Sequence, residues 1–336
     1  MKRLGRNGWL ALALVGGLLA GVPPAGSAEK LTFSIGWVPY GLHGGFFGAL
    51  GEGFYRKAGL DVQWQRGYGA PDTAKRIAVG QFPLGISDVS NVALGRARKL
   101  EIKSVAQLLT FSPHAILTFR DSGIRHPKDL TGRIVSTAPG AIVDQTFPVF
   151  AEMLGIKVGK WIYVEPRSMN ATLLSGKADA LLAFGIYHPI LNQMAQKTGK
   201  EVQAIWWSDY GFEMLGESVV TTDKLIRDNP DLVRRFVRAT LEGYAWSIEH
   251  PAEAARHLVN AVPTAKANIE EQQWKVTIGR ILAPGILEKG LGHHDFKRVA
   301  VTRDLVFKVN GIRENIPVEE IATNALLPPG PILPKR

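Results

Sequence analysis

The chain contains 336 residues and no cysteine, and its 40 basic and 30 acidic side chains give a formal net charge of +10. The absence of cysteine excludes disulfides, thiolate catalysis, zinc–thiolate sites and iron–sulfur clusters. Basic residues are scattered, without a run of five or six like charges, so the sequence does not predict a nucleic-acid-binding patch. The length is sufficient for two lobes of ordinary domain size.

The amino-terminal 28 residues have the composition of a cleavable secretory signal peptide. Three basic residues within the first six positions precede an uncharged stretch from Trp9 to Val22, and small residues lead to a predicted cut after Ala28. A membrane anchor is the alternative, but the apolar stretch is short for a bilayer span and ends in prolines. We therefore expect an exported, periplasmic protein whose mature chain runs from Glu29 to Arg336.

Strand and helix patterns alternate in the first unit after the predicted cut. Leu31, Phe33 and Ile35 are spaced by two, which is typical of a strand. The predicted strands are 31–37, 61–66, 84–87 and 102–110, and the predicted helices are 45–58, 72–79 and 90–97. Asp72 and Ser90 are the expected helix caps. The alternation predicts a mostly parallel sheet with helices on both faces.

A second unit of the same kind spans roughly 116–215. Its predicted strands are 134–136, 161–164, 180–183 and 202–206, and its predicted helices are 127–130, 170–175, 189–197 and a segment from Pro139 to Leu154. Pro148 either kinks that last helix or marks its true start, and the sequence leaves both possibilities open. The last third is predicted to be helical, with helices opening at Pro230 and Pro251 and another over 269–282.

Several sequence runs resemble one family of transport proteins. The runs are WVPYGLHGGFFGA at 37–49, GFYRKAGLDV at 53–62, DSGI at 121–124, PKDLTG at 127–132, LSGKADA at 174–180, DYG at 209–211 and NPDLVR at 229–234. Together they resemble the nitrate, sulfonate, taurine and thiamine-pyrimidine-precursor branch of ABC-transporter substrate-binding proteins. The matches keep their order and spacing from about residue 31 to residue 263.

Within that family, the binders of thiamine pyrimidine precursors are the most similar. LNQM at 191–194, preceded by Tyr187, resembles their second-lobe helix, and DYG at 209–211 resembles their segment before the return to the first lobe. Two positions depart from the pattern. Ile190 stands where these proteins usually have an acidic residue, and Tyr40 follows Pro39 where an asparagine is usual.

The resemblance implies an α/β, bilobal periplasmic-binding-protein fold of type II, with two doubly wound sheets and a ligand cleft between the lobes. Lobe 1 would comprise residues 29–115 and 216–336, and lobe 2 would comprise residues 116–215. The chain would cross between them near 113–117 and 215–219, and the carboxy-terminal helices would pack on lobe 1. The implied partners of this monomer are a small-molecule ligand and a membrane ABC permease, with no cofactor.

Candidate ligand-binding residues follow from the strand ends, because ligands of open α/β sheets sit beyond the carboxyl ends of the strands. The indole of Trp37 can stack on a flat ligand, although Trp37 also fits the core face of its strand. His43 lies near a helix start that favours anions, or is simply solvated. The candidates are Trp37, Pro39, Tyr40, His43, Tyr68, Ser87, Asp88, Gly140, Phe184, Tyr187, Asn192 and Tyr210.

Catalysis and metal binding have weak sequence support. His293, His294 and Asp295 are adjacent, but no third ligand is evident, so we expect no metal site. A Gly-x-Ser-x-Gly elbow and a phosphate-binding loop are both absent. The prediction is a binding protein and not an enzyme. The alternative is an enzyme of thiamine-pyrimidine metabolism on the same fold, with His43 and Asp88 as an acid–base pair if they meet.

The sequence leaves two classes of ligand open. A planar, pyrimidine-like molecule fits the aromatic residues at candidate cleft positions, whereas a sulfonate or nitrate fits the breadth of the family and the basic balance of the chain.

Overall fold

The computed structural model describes residues 28–282 and 285–335. The predicted signal peptide up to Ser27 lies outside the described residues. The strands are β1 Glu29–Ser34, β2 Leu60–Gln65, β3 Leu84–Asp88, β4 Ile102–Gln107, β5 His114–Phe119, β6 Ile134–Thr137, β7 Lys160–Tyr163, β8 Ala180–Phe184, β9 Val202–Trp206 and β10 Glu217–Thr222.

Helices connect and cover these strands. The α-helices are α1 Gly44–Gly51, α2 Phe54–Lys57, α3 Ala70–Ala78, α4 Val89–Ala97, α5 Ile142–Leu154, α6 Met169–Leu174, α7 His188–Gln196, α8 Asp223–Asp228, α9 Pro230–Glu249, α10 Pro251–Ala261, α11 Ala267–Ile281, α12 Ile286–Lys289, α13 Phe296–Asn310 and α14 Val318–Ile321. Short 3-10 helices lie at Gly41–His43, Pro127–Leu130, Pro166–Ser168, Gly185–Tyr187 and Trp207–Tyr210.

The strands form two five-stranded sheets with the same plan. The orders are β2-β1-β3-β10-β4 and β7-β6-β8-β5-β9. In each sheet one strand is antiparallel to both of its neighbours: β10 in the first sheet and β5 in the second. These are the strands that enter a sheet directly after the chain crosses from the other one. The sheets are therefore mixed, each with one antiparallel strand among otherwise parallel ones.

The two crossing segments run side by side. The backbone N–H of Ser112 donates to the carbonyl of Met214 at 2.8 Å, and that of Gly216 donates to the carbonyl of Leu109 at 3.0 Å. We retain residues 29–115 with 216–336, and residues 116–215, as the proposed limits of the two lobes. His114, the first residue of β5, lies just before the proposed start of lobe 2.

The carboxy-terminal helices bury their apolar faces against the first sheet and its helices. Phe236 of α9 and Phe46 of α1 lie on Phe33 of β1, each with a ring centroid 4.9 Å from that of Phe33. Helix α13 reaches further, since it contacts both α4 and α5. On α13, the Thr302 hydroxyl accepts a hydrogen bond from the Leu215 backbone N–H at 2.9 Å. Helix α13 thus supports both sheets on the side of the crossing segments.

Several predicted boundaries were wrong for local reasons. The helix expected over 45–58 is broken, because Gly53 adopts a left-handed conformation with φ of 73°. Helix α3 is capped by Gly69, and Asp72 lies within its first turn, where it pairs with Arg76 at 2.8 Å. Helix α4 begins after Asp88, so Ser90 is not its cap.

Pro148 lies inside the helix that it was predicted to kink or to start, since α5 begins six residues earlier at Ile142. Within residues 28–282 and 285–335, no helix combines the length and the apolar character needed to span a bilayer.

Close packing of α9 on α1 depends on Gly243. A Cβ at this position would lie 2.1 Å from the Cβ of Ala49, whereas a Cβ on Gly279 of α11 would meet no atom within 4 Å. We expect Gly243→Ala to lower the free energy of unfolding by about 1–3 kcal/mol through overpacking. The control Gly279→Ala should leave it unchanged or raise it by up to about 1 kcal/mol, because alanine favours helix. Urea unfolding that gave equal changes for both variants would contradict this account.

Candidate ligand-binding cleft

A cavity of about 450 Å³ lies between the two sheets and is lined from both sides. The lining from the first sheet and its loops includes Gly36, Trp37, Tyr40, Tyr68, Asp88 and Glu217. The lining from the second includes Gly140, Met169, Phe184 and Tyr187. Its volume and its largely apolar wall with a few polar groups are typical of a small-molecule site.

Two backbone contacts hold the loops that follow β1 and β2 against each other. The Gly69 N–H donates to the carbonyl of Gly36 at 2.9 Å, and the Gly67 N–H donates to the carbonyl of Trp37 at 3.2 Å. A Cβ on Gly67 would lie 2.1 Å from the Gly36 carbonyl oxygen, so this approach requires glycine. The contacts place Trp37 and Tyr68 at the same end of the cavity.

Aromatic rings from both lobes meet inside the cleft. Tyr40 and Tyr187 stack with centroids 5.5 Å apart and an angle of 3° between their planes. Tyr40 is buried, while Trp37, Phe184 and Tyr187 are half-buried and present free ring surface. The three half-buried rings provide faces on which a flat ligand can stack.

Tyr68 marks the mouth of the cavity. Its side chain is 61% exposed and lies between two guanidinium groups, with Arg66 4.6 Å and Arg76 5.3 Å from the ring centroid. Cation–π contacts of this kind hold the ring in place at the rim.

Two carboxyl groups lie side by side in the cavity wall. Asp88 ends β3, Glu217 begins β10, and the two are paired directly in the antiparallel register. Burial raises the pKa of Asp88 to about 7. Burial, and then the charge of Asp88, raise the pKa of Glu217 well above its usual range. The residues that line the cavity include no lysine, arginine or histidine, so no cation offsets this pair.

Sequence reasoning missed Glu217. It stands at the start of a strand that follows the second crossing, and nothing in its neighbours along the chain marks it as part of a site. Its only mark in the sequence is its place within the predicted crossing at 215–219, which by itself does not point to a ligand.

His43 does not reach the cavity, although it was predicted to bind ligand. It is fully buried behind the wall, and its Nδ1 accepts a hydrogen bond from the Tyr40 backbone N–H at 3.4 Å. Burial lowers the pKa of His43 to about 4, so the imidazole is neutral at pH 7. The structure therefore does not form the anion site suggested for this helix start, and His43 does not meet Asp88 in the cavity.

Four other predicted residues also lie outside the lining, and three of them have a structural contact of their own. The Ser87 hydroxyl donates to the carbonyl of Ala70 at 2.8 Å, and Asn192 Oδ1 accepts from the Val202 N–H at 2.9 Å. The Tyr210 ring stands edge-on to His126, with centroids 4.6 Å apart. Pro39 lies between Trp37 and Tyr40 along the chain but is not itself part of the cavity wall.

The paired histidines near the carboxyl end have protein partners. His294 is buried, with its Nε2 2.6 Å from the hydroxyl of Ser104 and its Nδ1 3.1 Å from Oδ1 of Asn324. Across the described part of the chain, no three His, Asp or Glu side chains are grouped so that they could hold a metal ion.

The model of a family described as NMT1/THI5 like matches residues 41–254 of the chain. The chain belongs to this family. It is 25% identical over 267 residues to the formylaminopyrimidine-binding protein of Halalkalibacterium halodurans, covering 76% of this chain and 79% of that protein. It is 21% identical over 311 residues to the riboflavin-binding protein RibY of Chloroflexus aurantiacus, covering 90% and 87%.

Other relatives differ in the activity that their names record. The chain is 22% identical over 260 residues to the 4-amino-5-hydroxymethyl-2-methylpyrimidine phosphate synthase THI13 of Saccharomyces cerevisiae, covering 74% and 76%. Among solved structures, the periplasmic aliphatic sulphonate binding protein SsuA of Escherichia coli matches with a TM-score of 0.68 at 14% identity, covering 87% and 96%. The predicted family and the bilobal periplasmic-binding-protein fold are confirmed.

The burial of His43 has a consequence for stability in acid. The pKa of His43 is about 4 in the folded protein, whereas that of a histidine in an unfolded chain is about 6.5. Between these pH values the unfolded chain therefore binds a proton at this position and the folded protein does not. Stability is therefore full above about pH 6.5 and falls toward pH 4, by up to about 1.4 kcal/mol per pH unit for each such histidine. We expect His43→Asn, which keeps an acceptor near Nδ1, to show a shallower decline in urea unfolding between these pH values. An unchanged slope would contradict the neutral, buried state of His43.

Proposed function

We propose that this protein is the substrate-binding component of an ABC importer and captures a small planar nitrogen heterocycle in the cleft between its lobes. The observation that carries the proposal is the wall of the cavity, which combines aromatic rings from both lobes with two buried carboxyls and no basic side chain. A ring that is uncharged or positively charged suits such a wall. A sulfonate or nitrate does not, because the carboxyls repel it and no cation receives it.

The net charge of the chain does not alter this choice. Arg66 and Arg76 lie at the mouth, and among the residues that the structure describes no basic side chain lines the cavity itself. The relative that is named as a formylaminopyrimidine-binding protein supports a pyrimidine-like ligand, and RibY supports a planar aromatic one. With the predicted signal peptide, these likenesses favour a periplasmic receptor whose partner is a membrane permease.

A synthase is the competing function, since THI13 is named as one. The described cavity favours capture over turnover. His43 is closed off from the cavity that Asp88 lines, so the acid–base pair considered for catalysis is not formed there. The chain also lacks any cysteine that could act as a nucleophile. Release of a chemically changed ligand, detected by mass spectrometry after incubation, would reverse this ranking.

Capture would proceed by closure of the lobes. A ligand that contacts Trp37 on one side and Phe184 on the other stabilises the conformation in which both contacts exist. The paired crossing segments around Ser112 and Met214 are the expected hinge, because the chain passes between the sheets only there among the described residues. Small-angle scattering should show a smaller radius of gyration with saturating ligand, and an unchanged radius would contradict closure.

The ligand class can be tested by calorimetry on the exported protein. The panel is 4-aminopyrimidine, riboflavin and ethanesulfonate, each at low and high salt. We expect a planar ring to bind, with an affinity that changes little with salt when the ring is neutral, because salt screens only charged partners. Binding of ethanesulfonate alone, weakened by salt, would overturn the proposed ligand class.

Stacking on Trp37 should dominate the affinity for such a ring. Trp37→Ala should weaken binding by about 1–3 kcal/mol, the range for loss of a buried aromatic contact, and Trp37→Phe should retain most of it. Trp64→Ala is the matched control, since Trp64 is half-buried in the same lobe but packs on Phe47 outside the cavity. Equal losses for Trp37→Ala and Trp64→Ala would indicate a general effect on folding and not a stacking contact.

A further inference from the structure

We propose that the carboxyls of Asp88 and Glu217 form one acceptor site for a planar cation. In the ligand-free cleft the two carboxyls share a proton, and this proton leaves when N–H groups on one edge of the cation bind to both of them. The inference rests on the proposed function, because it names the charge and the edge of the ligand that the same cleft takes.

The geometry of the pair comes from the sheet. Glu217 and Asp88 are opposite each other in the antiparallel pairing of β10 with β3, and both line the cavity. Side chains at directly opposite positions have Cβ atoms about 4.5–5.5 Å apart on the same face. A single planar group with two N–H donors on one edge spans such a distance and can bond to both carboxyls.

Among the described residues, neither carboxyl has a positively charged partner. Asp88 is 7% and Glu217 is 9% exposed. Asn91 Nδ2 donates to Asp88 Oδ2 at 3.4 Å, and among the described residues the Glu217 carboxyl receives no hydrogen bond and no salt bridge. Glu217 is therefore a buried, unpartnered acceptor aimed into the cavity. Such a group calls for a donor from a ligand, because leaving it unsatisfied is costly.

The surrounding titratable groups add no positive charge. Tyr40 from the loop after β1, Tyr187 from the second lobe and Tyr244 from α9 lie near Glu217, and its negative charge contributes to raising the pKa of each. Gln107 of β4 bonds to the backbone carbonyl of Glu217 and not to its carboxyl. His43 lies behind Tyr40 and is neutral at pH 7.

Two adjacent carboxyls in such an enclosure cannot both ionise, so they titrate as a pair. The raised pKa of both groups agrees with this, with Asp88 at about 7 and Glu217 well above its usual range. Near neutral pH the pair keeps a proton. A cation whose N–H groups reach both carboxyls supplies the missing positive charge, and the shared proton then leaves to solvent.

The proton of the pair can be tested without any ligand. An unfolded glutamate has a pKa of about 4.3, so the folded pair keeps a proton that the unfolded chain loses. The stability that a carboxyl with a raised pKa contributes is fully present below the pKa of the unfolded chain. It is lost as the pH rises through the pKa of the folded protein. Between about pH 7 and 8, where histidine no longer contributes, the unfolding constant of the wild type should rise up to about tenfold more than that of Glu217→Gln. Parallel curves would overturn the shared proton.

The exchange is tested with benzamidinium, a planar cation with two donors on one edge, and with its neutral counterpart benzamide. Calorimetry of the exported protein in two buffers of different ionisation enthalpy counts the protons released. We expect about one proton released per benzamidinium bound, and an affinity that rises up to about tenfold per pH unit between pH 6 and 8. At pH 8, above the pKa of about 7 that burial gives Asp88, Glu217→Gln should release far fewer protons than the wild type, and its affinity should change less with pH between 7 and 8.

The outcomes separate this inference from the proposed function. Equal binding of benzamide and benzamidinium without proton release would overturn the exchange while leaving capture of planar rings intact. No binding of any planar ring, from this pair or from the earlier panel, would overturn both proposals, whatever the ligand-free protein showed. Trp64→Ala, outside the cavity, should release the same number of protons as the wild type, and a lower number would mean that the measurement does not report on the pair.

Discussion

The site depends on one antiparallel strand in each sheet, β10 in the first and β5 in the second, which the chain forms directly after it crosses from the other sheet. Parallel strands bring their carboxyl ends to the cleft, and a strand that starts from a crossing segment begins at that same edge. The first residue of β10 therefore faces the last residue of β3, and the first residue of β5 faces the last residue of β8. The cleft, the paired crossing segments and the polar groups of the cavity wall all follow from this arrangement.

The same constraint sets the electrostatics of the cavity. Glu217 reaches the wall because it begins β10, and it is held beside Asp88 by the hydrogen bonds of the sheet. Burial removes the water that would solvate two carboxylates, so their mutual repulsion is weakly screened and favours a bound proton. A chain with a net charge of +10 thus carries an acidic cavity, and its overall charge says little about its ligand.

The comparisons agree with a fold that hosts several ligands. Relatives of similar identity are named for formylaminopyrimidine, for riboflavin and for synthesis of a pyrimidine phosphate, and a sulphonate-binding protein shares the architecture. Fold therefore does not decide the ligand, which depends on the groups that line each site. In this chain those groups are carboxyls from the first lobe, together with stacked rings from both lobes.

The sequence by itself determined the family and the approximate positions of eight strands, because hydrophobic spacing and turn residues act between near neighbours in the chain. It did not predict the antiparallel strands β5 and β10 or helix α13. Trp37, Tyr68, Asp88 and Phe184 lie around one cavity since each ends or follows a strand. Only the tertiary structure decided that His43 is sealed behind Tyr40 and that Ser87 and Asn192 bond to nearby backbone. Only the tertiary structure placed Glu217 beside Asp88. The whole second lobe lies between these two residues along the chain, and pairing over such a distance leaves no local signal in the sequence.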